Sequence, residues 1–162
     1  MKASRQQGPP VMMRRTSLQF LIAVAVGGSA IGPVELMAQG SASKGRLTLK
    51  GYDPVAYFTD GRPVQGNKSF SYDWHGVTWL FASNEHRDAF KANPEKYAPQ
   101  YGAYCSWGVA QGKLFDVDPV NAWKIVDGKL YLNFNGDIQA TWEKDIPGFI
   151  AKAEKNWPNL NR

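Results

Sequence analysis

The chain has 162 residues, and its 43% hydrophobic and 20% charged residues are those of an ordinary globular protein, not of a disordered, collagen-like or disulfide-rich one. Its single cysteine excludes an internal disulfide and any CxxC zinc or redox motif. The excess of 19 basic over 14 acidic residues, a net charge of +5, raises the question of a nucleic-acid partner.

The first residues have the pattern of an export signal. Arg14 and Arg15 precede a short apolar run, Phe20–Ile31, which is too short for a membrane span of about 20 apolar residues. The arginine pair is typical of a twin-arginine signal, with general secretion and an uncleaved anchor as alternatives. We therefore predict a signal peptide over residues 1–38, recognition by the twin-arginine export machinery, and a periplasmic or secreted protein.

The signal peptide also explains most of the positive charge. Cleavage is expected after Ala38 or Ala42, and a leader ending at Ala38 holds four of the basic residues and one acidic residue. The mature chain then carries a net charge of only about +2, with basic and acidic residues interspersed. This distribution is typical of a solvated surface, so we predict no nucleic-acid partner. No membrane span is predicted after cleavage.

A polar stretch at residues 39–46 is predicted to be a flexible entry. A single domain follows over residues 47–158, with a short tail at 159–162. Within the domain, Asp53-Pro54 predicts the start of a short helix over Val55–Phe58, with the aspartate as N-cap and the proline at the first helical position.

The next elements are a hairpin and a helix. Two aromatic and β-branched runs, Ser69–Trp74 and Val77–Ala82, flank His75-Gly76 and predict a β-hairpin. Ser83 is a suitable N-cap for a helix that runs to about Ala92. Another turn, Pro94–Tyr97, is expected after it.

The last third of the chain predicts two helices and a second hairpin. Helical spacing of apolar residues indicates a helix over Tyr101–Ala110. Ala122–Val126 and Lys129–Phe134 flank Asp127-Gly128, a strong hairpin signal. An apolar stripe between Ile146 and Trp157 predicts an amphipathic helix. The fold class is therefore α+β, a small single domain of short β-hairpins covered by short helices.

Several of these segments together resemble the YHS domain family, whose relatives are treble-clef-like and metal-associated. The resemblance is carried by Tyr52–Phe58, Gly76, Trp79, Phe81–Ser83, His86–Phe90, Asn93–Tyr97, Tyr101–Cys105, Trp123–Asn133 and Trp157-Pro158. It covers residues 47–158 and is closest to the exported single-domain members. The resemblance implies a treble-clef-like module with a C-terminal amphipathic helix.

The chain departs from the family at the metal ligands. Members attached to metal-transporting ATPases carry three cysteines where this chain has Ala56, Ala82 and His86. Only His86 of these three residues can coordinate a metal ion. The resemblance alone therefore does not carry metal binding over to this chain.

Cys105 and His86 are the candidate metal ligands, with Asp53 as a third. His86 is the third residue of a predicted helix, where the helix dipole disfavours the imidazolium and leaves a neutral ring able to bind metal. A thiolate and an imidazole suit copper or zinc. His75 is expected at an exposed hairpin tip, away from His86. The sequence thus predicts an exported binding protein for a transition metal or a small ligand.

Two other uses of the same residues remain open. Cys105 and His86 can be core residues of a structural or protein-interaction domain without metal, since a free cysteine is commonly buried. They can also form a nucleophile and base pair. No nucleophile elbow or oxyanion loop accompanies them, so no enzymatic activity is predicted.

The tyrosines form the second candidate site. The chain contains six Trp, seven Tyr and eight Phe, enough for a core of large side chains. They could equally line an aromatic pocket for a small apolar or planar ligand. The pocket candidates are Tyr52, Tyr57, Tyr101 and Tyr104, which lie in the most family-like segments.

Overall fold

The computed structural model describes residues 48–162, and the predicted signal peptide and flexible entry lie outside them. The described residues form an α+β fold with two separate two-stranded antiparallel sheets and several short helices. This confirms the predicted fold class. None of the helices in this part of the chain has the length and apolar character needed to cross a membrane.

The first hairpin pairs β1 (Asn67–Trp74) with β2 (Val77–Phe81). At its tip His75 and Gly76 both have positive φ, 52° and 75°, the backbone of a two-residue turn that matches the twist of the strands. The predicted hairpin is confirmed, and His75 is exposed at its tip.

The helices of residues 48–162 are short apart from the last one. They are α1 (Ala56–Thr59), α2 (Asn84–Ala92), α3 (Pro94–Tyr97), α4 (Ser106–Ala110), α5 (Gly136–Glu143) and α6 (Ile146–Leu160). Ser83 caps α2 as predicted, because its hydroxyl accepts the backbone N–H of His86 at 3.2 Å. The amphipathic helix α6 is confirmed and ends two residues beyond the predicted domain boundary at residue 158.

The predicted continuous helix over Tyr101–Ala110 is wrong. Tyr101, Gly102 and Ala103 have φ of 56°, 59° and 63°, so the chain makes a left-handed turn where a right-handed helix was expected. Tyr104 is then extended, and Cys105 is the N-cap of α4. The apolar residues that suggested one helical face belong to two different hydrophobic clusters. Tyr101 packs in one of them and Cys105 in the other.

The second hairpin pairs β3 (Trp123–Val126) with β4 (Lys129–Leu132) around Asp127 and Gly128, and its prediction is confirmed. The strand β4 ends at Leu132, earlier than predicted, and the Asn133 that follows is completely buried. The helix α5 was not predicted. It begins after Asn135, whose side chain accepts the backbone N–H of Ile138 at 2.9 Å.

Two hydrophobic clusters hold these elements together. The first contains residues from α1, β2, α2 and β4, among them Val55, Tyr57, Phe81, Phe90, Leu130 and Leu132. The second contains Tyr101, Val109, Ala110, Tyr131, Trp142 and Ala153. Trp107 packs against both clusters. The first cluster buries the segment before α1 against the end of β2, and this contact positions the candidate site.

Candidate functional site

Two of the predicted site residues, Asp53 and His86, are in direct contact. His86 Nδ1 lies 2.6 Å from Asp53 Oδ2. The aspartate side chain is completely buried, whereas 18% of the histidine side chain is exposed. The contact joins the chain just before α1 to the first turn of α2, 33 residues later.

The carboxylate of Asp53 is fully used inside the protein. Its Oδ1 accepts the backbone N–H of Val55, and its Oδ2 accepts the backbone N–H of Ala82, both at 2.8 Å. With His86 as the third partner, the carboxylate acts as an acceptor in every contact, which is the role of its ionised form. Asp53 is therefore a buried anchor that fixes the orientation of the imidazole.

The outer nitrogen of His86 faces two oxygen atoms at the surface. Nε2 lies 3.2 Å from Thr59 Oγ1 and 3.8 Å from Asp60 Oδ1. These two oxygens are 2.8 Å apart. When Nδ1 carries a proton for Asp53, Nε2 carries the lone pair. The site therefore presents one imidazole nitrogen next to a hydroxyl and a carboxylate that is 35% exposed.

Cys105 lies in a different polar network. Its thiol donates to Asn133 Oδ1, with sulfur and oxygen 3.6 Å apart, and its sulfur accepts the backbone N–H of Gly108 at 3.4 Å. Asn133 in turn donates to Gln139 Oε1 at 2.8 Å. The prediction that Cys105 joins His86 therefore finds no support in the contacts, because the thiol and the imidazole share no partner.

Burial keeps the thiol of Cys105 protonated. The side chain has no exposed surface, and this burial raises its pKa, against the opposing effect of backbone N–H groups of Gly108, Phe134 and Trp107. A metal ligand or nucleophile must be the thiolate. A buried thiol that donates a hydrogen bond fits neither role, so the chemistry of this donor does not suit a copper or zinc ion.

The donors predicted for a metal ion are thus divided. Asp53 has both oxygens occupied, Cys105 is a protonated core residue, and only His86 has a ring nitrogen directed outward. Among residues 48–162, no cluster of three or more His, Cys, Asp and Glu side chains is arranged to hold a metal ion.

The four candidate tyrosines lie in two places. Tyr57 is in the first cluster with Tyr52 packed against it, while Tyr101 is in the second cluster with Tyr104 packed against that one. The hydroxyl of Tyr57 donates to the carbonyl of Pro119 at 2.7 Å. Burial raises the pKa of both Tyr57 and Tyr101. These rings are structural parts of two cores, and the structure does not gather them around one pocket.

A surface group of apolar side chains was not predicted from the sequence. Leu114, Phe115, Val120 and Phe134 are between 38% and 51% exposed. Leu114, Phe115 and Val120 lie between α4 and β3, whereas Phe134 follows β4 and its backbone hydrogen-bonds the sulfur of Cys105. The carbonyl of Phe115 accepts the backbone N–H of Cys105 at 3.1 Å, so Phe115 and Phe134 lie near the same residue.

Three polar residues of these networks were also missed. Thr59 and Asp60 directly follow the predicted helix Val55–Phe58, and no role was predicted for them from the sequence. Asn133 appears as the continuation of an apolar strand. An asparagine inside the predicted apolar strand Lys129–Phe134 is the one local signal that could have been recognised, because an amide buried with its strand needs several partners.

The comparison with known families identifies part of the chain. Residues 55–101 match the family model of the YHS domain. No curated protein and no solved structure matches the chain. The matched segment includes α1, the first hairpin, α2 and α3, and therefore contains His86 and its two surface neighbours.

Proposed function

The chain carries a YHS domain at residues 55–101, and from this premise we propose that the protein is an exported binding protein whose ligand site is the outer edge of His86. The observation that supports this proposal most strongly is the 2.6 Å contact between His86 and the buried Asp53. A buried carboxylate that fixes one ring nitrogen leaves the other in a defined direction at the surface.

The chemistry of the site favours a ligand that an imidazole nitrogen can recognise. Copper or zinc ions and small polar molecules with a hydrogen-bond donor are such ligands. Asp60 adds a partly exposed negative charge next to the nitrogen, which favours a cation. Cys105 is assigned to the core and has no part in the site.

A binding role agrees better with the contacts than an enzymatic role. Thiol catalysis needs a base within hydrogen-bond reach of the sulfur. The thiol of Cys105 donates to the amide oxygen of Asn133 instead. Its raised pKa further lowers the fraction of reactive thiolate at neutral pH.

Export to the periplasm is the other part of the proposal, and the sequence before the described residues supports it. Arg14 and Arg15 precede a short apolar run, as in signals for the twin-arginine export machinery. Replacing both with lysine in the full-length chain is expected to retain the protein in the cytoplasm, measured by fractionation of the expressing cells. Unchanged export of that variant would argue for the general secretion route.

The ligand site can be tested with the two histidines of the chain, His75 and His86. A panel of copper, zinc and small polar compounds is added to the full-length protein, and the thermal midpoint is recorded. At least one ligand should stabilise the wild type and His75→Asn but not His86→Ala. If every stabilising ligand acts equally on His86→Ala, the ligand site lies elsewhere.

The exposed apolar residues favour a second candidate function, that of a protein-interaction domain. Phe115 and Phe134 are partly exposed, and the backbone of each hydrogen-bonds Cys105; exposed apolar side chains that lie together often mark interaction sites. In this case Phe134→Ser, with the fold intact, would abolish binding of the partner protein. His86→Ala would leave that binding unchanged. The two candidate functions therefore differ in which substitution abolishes binding, His86→Ala in the first case and Phe134→Ser in the second.

A further inference from the structure

We propose that the exposed apolar side chains near Cys105 form a contact surface between two copies of this chain. The surface consists of Leu114, Phe115, Val120 and Phe134. This inference rests on the second candidate function and specifies its partner, which is the protein itself.

Two of the rings are held next to each other by Cys105. The carbonyl of Phe115 accepts the backbone N–H of Cys105 at 3.1 Å, and the backbone of Phe134 hydrogen-bonds its sulfur. Leu114 directly precedes Phe115 and is 40% exposed. These three apolar side chains therefore lie on one part of the surface.

Val120 lies beside the same part of the surface, in a loop that is bonded to the end of β4. The backbone N–H of Asp118 donates to the carbonyl of Asn133 at 2.9 Å, directly before Phe134. The carboxylate of Asp118 accepts the backbone N–H of Val120 at 2.9 Å. The large exposed apolar side chains of residues 48–162 are thus gathered together, whereas surface apolar residues without a binding role are usually scattered singly.

The ring of Phe115 is fixed in place by the helix behind it. Gly108 in α4 has no side chain, and a Cβ atom built there would lie only 2.5 Å from Phe115 Cδ2. One edge of the ring therefore packs directly on the backbone of α4, while 38% of the residue stays exposed. A ring that is already held in position loses little conformational entropy on association.

Charges of opposite sign lie at the two ends of the segment that carries Phe115. Lys113 is exposed and donates its backbone N–H to the carbonyl of Gly108 in α4. Asp118, at the other end, is bonded to the end of β4, and hydrogen bonds from Asn121 hold the pKa of its carboxyl below the usual value. The carboxylate is therefore ionised at neutral pH.

This arrangement of charges favours a second copy of the chain as the partner. A two-fold axis through the apolar centre places each end of the segment opposite the other end in the second copy. Lys113 of each copy then faces Asp118 of the other, with the apolar side chains between the two contacts. Lys50 and Asp116 pair with each other at 3.3 Å, so their charges cancel. A surface surrounded by one sign of charge would instead select a partner of the opposite sign.

The small extent of the surface predicts a weak dimer. Stable interfaces bury about 1,600 Å² in total, and smaller contacts belong to transient complexes. Each copy offers four apolar side chains that are only partly exposed. We therefore expect monomers in dilute solution and dimers at high protein concentration.

Sedimentation equilibrium of the purified full-length protein, over a range of concentrations, tests the inference. The wild type should show a monomer–dimer equilibrium. Phe134→Ser should raise the dissociation constant by roughly 10-fold or more, as for a residue at the centre of an interface. Lys113→Glu should also weaken the dimer, and more so at low salt, because it places two acidic groups opposite each other. The matched control Lys129→Glu makes the same change of charge at the far end of β4 and should dimerise as the wild type does.

Mixing two charge-reversal variants tests the two-fold pairing itself. Lys113→Glu and Asp118→Lys should each dimerise poorly alone, because each brings like charges together. Mixed with one another they should associate, since both contacts then join opposite charges. A mixture that associates no better than either variant would overturn the two-fold arrangement. Thermal midpoints show that the variants are folded, and if Asp118→Lys is not, Phe134→Ser and Lys113→Glu decide.

The outcomes separate this inference from the function on which it rests. A wild type that stays monomeric at every concentration overturns the second copy as partner. So does dimerisation that Phe134→Ser and Lys113→Glu leave unchanged, because it then uses another surface. If Phe134→Ser still abolishes binding of a different protein, the interaction function stands. If it abolishes only binding to phosphatidylcholine vesicles, the surface binds lipid, and both the inference and the interaction function fail.

Discussion

Cys105 shows how the surroundings of one residue decide its chemistry. The sequence presents a single thiol, for which metal coordination and core packing were the open alternatives and no enzymatic activity was predicted. The fold surrounds it with Asn133, Gly108 and the first hydrophobic cluster. The sulfur there accepts a backbone N–H in the first turn of α4, as an N-cap side chain does. Its role is therefore local and structural.

This role predicts slow chemical labelling of Cys105. The side chain is buried and its pKa is raised, so a thiol reagent at pH 7.5 should react only when the protein opens. The rate should rise to that of a free cysteine in denaturant. The control is Cys105→Ala with Ser69→Cys, which places a thiol at an exposed position and should react at once. Equally fast labelling of the native wild type would contradict the assignment.

At the scale of elements, one close approach links the first hairpin to the chain that precedes it. Gly66 lies directly against Leu80 of β2, and a Cβ atom built at residue 66 would be 2.6–2.8 Å from the Cβ, carbonyl carbon and carbonyl oxygen of Leu80. The backbone N–H of Gly66 donates to the carbonyl of Gly51 at 2.9 Å. Any side chain at this position must therefore displace the backbone of β2.

We accordingly expect Gly66→Ala to lower the free energy of unfolding by about 1–3 kcal/mol, the usual cost of overpacking. The matched control is Gly136→Ala at the start of α5, where an added Cβ meets no atom within 4 Å. That substitution should be neutral or stabilising by up to about 1 kcal/mol. Urea unfolding of both variants measures the difference, and equal stabilities would show that β2 yields easily.

The elements also show what sequence patterns could reveal. Hairpins and capped helices depend on neighbouring residues, so Asp127-Gly128 and Ser83 were sufficient signals. At the turn, Tyr101 packs against α6 through a 5.7 Å ring contact with Trp157. The local spacing of apolar residues does not indicate such a distant contact. The contact of His86 with Thr59 likewise joins residues 27 positions apart. Asp53 and His86 were named together as candidate ligands of one metal ion, but their direct 2.6 Å contact required the fold.

At the scale of the whole molecule, the two hydrophobic clusters respond alike to alkaline pH. Burial raises the pKa of Cys105, Tyr57 and Tyr101 above their ordinary values of 9.0, 10.0 and 10.0. Below these values the folded and unfolded chains hold the same protons, so the three groups add no pH dependence. Above them only the unfolded chain loses protons, and the free energy of unfolding falls.

We therefore expect stability to decline from about pH 9, and more steeply above pH 10, where each buried tyrosine adds up to about 1.4 kcal/mol per pH unit. Urea midpoints between pH 7 and 11 measure this decline. Above pH 10, Tyr57→Phe should make the free energy of unfolding fall less steeply with pH, because one buried tyrosine no longer contributes. The variant also loses the hydrogen bond to Pro119. A slope unchanged in this variant would show that Tyr57 ionises without unfolding.

The hydrogen bond from the hydroxyl of Tyr57 to the carbonyl of Pro119 joins residues 62 positions apart in the chain, and the first hydrophobic cluster joins segments similarly distant. During synthesis Val55 and Phe81 leave the ribosome long before Leu130 and Leu132, their partners in the first cluster. Until β4 has left the ribosome, the apolar face of the first hairpin has no partner from this strand. Because such long-range contacts slow folding, we expect the first cluster to close only after β4 has been synthesised.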